Sequence, residues 1–127
     1  MYYVKTTDKS VDDAAKDLET AVAKHRFGVL HVYDLQDTLK GKGFDLPHEC
    51  RILEICNPAQ AVNVLSVDMS LNMALPCRVS VYEQDGKTCV GTIRPTKLLA
   101  TLSQDEKLAK TAAEVEAVIM RIIDDAV

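Results

Sequence analysis

Four cysteines, three histidines and one carboxylate set in an apolar run are the residues of this chain whose types suit chemistry. A cysteine attacks as a thiolate, ligates a soft metal or joins a redox disulfide, and the last two need partners within reach. Cys50 and Cys56 flank the run "HECRILEICNP", which reads as a strand ended by Asn57-Pro58. Side chains alternate along a strand, so Cys50, Ile52, Glu54 and Cys56 share one face, and Arg51, Leu53 and Ile55 the other. Six residues at about 3.3 Å each put the two thiols roughly 20 Å apart. A disulfide needs Cα atoms within about 7 Å, so this pair is neither a redox couple nor a chelate.

Cys77 and Cys89 fall on the two arms of a hairpin, "CRVSVYEQDGKTCVGTIRP". With Asp85-Gly86 in the turn, Val81 faces Val90 and Tyr82 faces Cys89. Cys77 then belongs to the Val79 and Val81 side and Cys89 to the other, so these two do not pair either. Cys56 with Cys77 is the combination that remains. Cys56 precedes a helix start, whose partial positive charge favours a thiolate, and Cys77 precedes the cation Arg78. Three roles stay open for them: packing, as buried free cysteines commonly do, a ligand or metal site, or a catalytic thiol.

Glu54 is the carboxylate in the apolar strand. Buried and alone it would cost several kcal/mol or take up a proton, so it needs a partner such as Arg78 or Arg94, or an exposed position. His25 ends a helical stripe, His31 lies mid-strand, and His48 precedes Glu49 and Cys50 without completing a tetrahedral ligand set.

These residues need elements to hold them. "YYVKTT" reads as a first strand, and Ser10 with Asp13 starts an amphipathic helix over 11–25. "FGVLHVYDL" is a second strand, and Asp34 caps a short helix that ends near Gly41 or Gly43. "CRILEIC" is the third strand. Asn57 is an N-cap and Pro58 a first helical residue for a helix over 58–65. "LNMALP" reads as a loop that exposes Leu71, Met73 and Leu75, a candidate contact with a second copy. Ser103 with Glu106 predicts the start of a long helix to about 124, with Leu108, Ala112, Val115, Ile119 and Ile122 on its stripe. Hairpins and single strands with two long one-faced helices predict an α+β fold. Its antiparallel sheet carries the two long amphipathic helices on one face, plus short helices. No Gly-rich phosphate loop follows any strand.

The 127 residues predict a single domain spanning 1–127. Hydrophobic content of 47% and charged content of 27% are globular averages. The net charge is −4, with lysines and arginines scattered, so the basic stripe of a nucleic-acid binder is lacking. No apolar run approaches the ~20 residues that span a bilayer. The N-terminal "MYYVKTTDKS" has no secretory-signal pattern, which makes the cytoplasm and reduced thiols the expectation.

The runs "HECRILEICNPAQA" and "LPCRVSVYEQDGKTCVGTIRPT", with "KHRFGVLHVYDLQDTLKGKGFDL" upstream, resemble the bacterial and archaeal family called domain of unknown function 302. The resemblance covers nearly the whole chain. It implies a compact α+β domain akin to TATA-binding-protein-like folds, often dimeric, with no assigned activity or cofactor. The family's marked positions fall on Cys56, Asn57, Pro58, Pro76, Cys77 and Arg78. The acidic balance argues against DNA, and fold likeness does not carry function.

The expected function is thus a non-catalytic cytoplasmic module that binds a small ligand or another protein, as a homodimer. Its expected site is Glu54, Cys56, Asn57, Cys77 and Arg78, where Arg78 and the amides after Asn57 would hold a small anion. The alternative is thiol chemistry or metal binding at Cys56 and Cys77, and no cofactor is identified.

Overall fold

Alternation sorts the strand residues into an inner set that a helix layer must cover and an outer set that it leaves open. A computed structural model describes residues 1–127. The chain runs β1 (Tyr2–Thr7), α1 (Val11–Lys24), β2 (Gly28–Asp34), α2 (Leu35–Gly41), β3 (Cys50–Cys56) and α3 (Pro58–Val67). A short 3-10 helix (Met69–Ala74), β4 (Cys77–Gln84), β5 (Lys87–Ile93), α4 (Pro95–Ala100) and α5 (Glu106–Ala126) complete it. The five strands form one sheet in the order β1-β5-β4-β3-β2, every neighbouring pair antiparallel. The α+β expectation holds.

Leu53, Ile55, Val79, Val81 and Val90 supply the inner face and are fully buried. Leu18 and Val22 of α1 and Ile119, Ile122 and Ile123 of α5 pack onto them in one cluster. Burying each such side chain contributes about 1.5–3 kcal/mol, which makes this layer the main source of stability. Arg51 is on the same side but at the sheet's end, where its guanidinium donates to Asp12 of α1 at 2.8 Å. The hairpin register is as expected, Val81 on Val90 and Tyr82 on Cys89. Asp85 and Gly86 both take positive φ in the turn.

Ser10 accepts from the Asp13 amide, Asp34 from Asp37 and Asn57 from Gln60, so three helix starts fall where local sequence puts them. Two expectations need correction. The long helix is capped not by Ser103 but by Asp105, whose carboxylate accepts from the Lys107 and Leu108 amides. A carboxylate at that position satisfies two orphan amides at once, and Ser103 instead accepts from the Asp105 amide. The stretch "LNMALP" is not an exposed loop: most of it is 3-10 helix, and Leu71 is only 3% exposed. It joins Val64, Leu99, Leu108 and Ala112 in a second small core, while Met73 remains 83% exposed. The sequence reading also passed over α4, which begins at Pro95 without a side-chain cap from Arg94.

No helix is long and apolar enough to cross a membrane.

Candidate functional site

The outer face of the sheet is the one no long helix covers. Strand register sets Glu54 of β3 opposite Arg78 of β4 on that face. The Arg78 Nη2 lies 3.8 Å from Glu54 Oε2, and the Tyr33 hydroxyl of β2 donates to Glu54 Oε1 at 2.7 Å. Glu54 is thus partnered on both sides, with only 14% of its side chain exposed, against 61% for Arg78. The hydrogen bond to Glu54 raises the Tyr33 hydroxyl above its ordinary pKa, and burial adds to the shift, because ionisation would set two negative groups together. The guanidinium keeps most of its donors free, since its one ionic partner is held at a long distance.

A groove of about 840 Å³ runs over this face. Its floor includes Arg78, Ser80 and Tyr82, and its far rim Tyr2, Val4 and Ile93 of β1 and β5. The 3-10 helix, α4 and the turn after it raise its walls through Met73, Leu98 and Leu102. Such a volume, mostly apolar with a few placed polar groups, is the usual form of a small-molecule site.

A second, almost wholly apolar cavity of about 220 Å³ lies under α3, between Phe27, Ile55, Ala61, Val64 and Val115. Cys56 and Asn57 border this cavity, Glu54 and Arg78 border the groove, and Cys77 borders both. The five expected residues are therefore divided between two neighbouring spaces. Cys56 and Cys77 do come close, because Ile55 pairs with Cys77 across β3 and β4. Burial, followed by the neighbouring Cys56, pushes the Cys77 thiol up to about 11. Burial, then Asp34, also raises Cys50.

A thiolate at Cys77 is thus disfavoured near neutral pH, the opposite of what a nucleophile needs. Arg78 does not help it, because alternation turns the guanidinium to the other face, toward Glu54. None of the three histidines borders either space. His25 lies against Asp125 at 2.6 Å, and His31 stacks edge-on against Tyr33. No three His, Cys, Asp or Glu side chains converge as metal ligands would. The amides after Asn57 are partly committed, Gln60 to the Asn57 side chain and Ala61 to its carbonyl. The Arg78 guanidinium, by contrast, is exposed and makes only the long contact to Glu54.

Sequence reasoning missed the device that fixes α4, and with it one wall of the groove. Glu116 of α5, 7% exposed, accepts from the Thr96 amide at 3.2 Å, from Thr96 Oγ1 at 2.7 Å and from Arg94 Nη2 at 3.2 Å. It supplies from another helix the cap that Arg94 cannot give to its own. Burial pushes this carboxyl up, but the Thr96 and Arg94 hydrogen bonds outweigh it and hold the group below the ordinary carboxylate range. The signal was present: Glu116 follows Ala112 by four and precedes Ile119 by three, on the apolar stripe of its helix.

Among known proteins, the chain matches the family described as "Domain of unknown function DUF302" over residues 2–126. It is similar to a solved structure from Bacillus stearothermophilus, an uncharacterized conserved DUF302 protein, with 29% identity and a TM-score of 0.93. That alignment covers 99% of this chain and 98% of the other. No curated protein matches the chain.

Proposed function

The chain belongs to the DUF302 family, and from that premise we propose that it is a non-catalytic cytoplasmic module binding a small ligand in the groove on its outer sheet face. The observation that carries this reading is the pairing of an open apolar groove of about 840 Å³ with one exposed guanidinium, Arg78. The carboxylate beside it is already served by Tyr33, so the free hydrogen-bonding capacity at that end is donor capacity. A ligand with an apolar body and one anionic or acceptor group suits it. The alternative, thiol chemistry or metal binding at Cys56 and Cys77, has against it the raised Cys77 thiol and the lack of a third ligand.

Two-dimensional NMR with a panel of small aromatic and alkyl carboxylates tests this reading. Shifts should cluster on Arg78, Tyr82 and Ile93, and Arg78→Gln should weaken binding at least tenfold. Absence of shifts across the panel, or shifts confined to the helix layer, would remove the proposal.

A second copy of the chain is the other occupant supported here, because Tyr2, Met73 and Leu102 present exposed apolar groups along the groove rim. A homodimer of this kind predicts a concentration-dependent sedimentation coefficient that Met73→Asp shifts toward the monomer. A single monomeric species at all concentrations would eliminate it.

A further inference from the structure

The groove and the apolar cavity share a wall. Leu75, Pro76, Cys77, Pro95 and Leu99 border both spaces, so the segment leading into β4 and the start of α4 stand between them. Leu75, Pro76 and Cys77 are only half-buried, whereas Pro95 and Leu99 are buried. On the groove side, the Cys77 backbone leads directly to Arg78, the exposed cation. On the other side lies a space of about 220 Å³ with almost no polar surface. This space is a half-open pocket that meets solvent beside the exposed Leu30, and, since an apolar void of roughly 150 Å³ takes up a benzene-sized guest, it has room for a somewhat larger apolar group. Water held against this lining finds almost no polar partner, so displacing it by an apolar group is favourable.

From this arrangement we infer that the ligand is a single-tailed amphiphile with a carboxylate-like head. The head pairs with Arg78, the upper chain lies on the apolar groove, and the tail passes the Leu75–Cys77 wall into the cavity under α3. This inference rests on the groove reading above and specifies its ligand. An Arg–carboxylate pair gives orientation through two parallel hydrogen bonds. Each methylene taken from water into the apolar spaces adds affinity until the cavity is full.

Isothermal titration with straight-chain carboxylates of rising length, each below its micelle concentration, provides the test, with the matching alcohols alongside. Affinity should climb with chain length and then level off. Arg78→Gln should weaken every acid at least tenfold and the alcohols less than threefold. Ala61→Phe, at a half-buried cavity position on α3, should leave the shortest acids unchanged and weaken the long ones at least tenfold. Should the phenylalanine disturb folding, the wild-type protein still decides the matter. The terminal methyl of a bound long-chain acid should show NOEs to methyls of Val64 and Ala112. Acids that need Arg78 but whose chain end reports only on Tyr2 and Met73 would overturn the tail placement and leave the groove reading standing. Acids that fail to bind at any length would bring down both.

Discussion

Replacing Glu116 by Ala isolates the tertiary cap of α4. The substitution removes three hydrogen bonds that end on one carboxylate, two from Thr96 and one from Arg94. Bonds to a charged acceptor are worth about 1.5–3 kcal/mol each. The Arg94 contact counts for less, since about a third of that side chain is exposed and its head can turn to water. Taking the two Thr96 bonds at the lower limit, because water enters the truncated site, gives a loss of about 3 kcal/mol. A domain of this size is stable by about 5–15 kcal/mol, so the loss is a large share of the total. Glu116→Gln keeps the shape and one acceptor oxygen and should lose about half as much.

Urea unfolding followed by circular dichroism measures both variants at pH 7 and again at lower pH. The folded carboxyl lies below its ordinary 4.5, so its charge-dependent stabilisation is present above that value and fades as pH falls through the folded one. The gap between wild type and Glu116→Gln should therefore narrow on going from pH 5 to pH 3. A double-mutant cycle with Thr96→Val should give a coupling of about 1 kcal/mol or more. A cost under 1 kcal/mol for Glu116→Ala, or strict additivity with Thr96→Val, would refute the cap.

Three further outcomes follow from packing and burial. A Cβ added at Gly91 would lie 2.7 Å from Val4 Cγ2 and 3.0 Å from the Tyr3 carbonyl, so Gly91→Ala should cost about 1–3 kcal/mol in chemical denaturation, and a neutral effect would contradict that close approach. Leu71→Asp should destabilise the protein by several kcal/mol because it buries a carboxylate in the second core, whereas Met73→Asp should stay within about 0.5 kcal/mol, and equal effects on melting would show the two residues misplaced. Cys77 should react with a thiol reagent in the folded protein far more slowly than after unfolding at pH 8. Its burial also predicts stability that is intact below pH 9 and declines as pH rises toward 11. Rapid native labelling of Cys77 at neutral pH would exclude that environment.

Much of the architecture was legible because it is written in short-range terms. The period-two pattern of "CRILEIC" and the Asp85-Gly86 turn placed the strand faces, and Ser10, Asp34 and Asn57 marked three helix starts. The same pattern excluded Cys50 with Cys56 and Cys77 with Cys89. It left Cys56 with Cys77 open, and the cost of burying a lone carboxylate made Arg78 one of the possible partners of Glu54.

What the chain alone did not disclose depends on residues far apart in sequence. Leu71 reads as exposed until Val64 and Leu108 close around it. The helix at Pro95 carries no local capping signal and went unread, because its cap, Glu116, arrives from another helix, twenty residues beyond Thr96. The sign of the Cys77 thiol shift likewise followed tertiary burial: the neighbouring arginine in sequence favours a thiolate, yet the surrounding protein desolvates Cys77 and Arg78 turns away to Glu54. Alternation and capping act over a few residues, so sequence determines them by itself. Burial and the partner of a charge are sums over everything that packs nearby, and only the folded chain decides those.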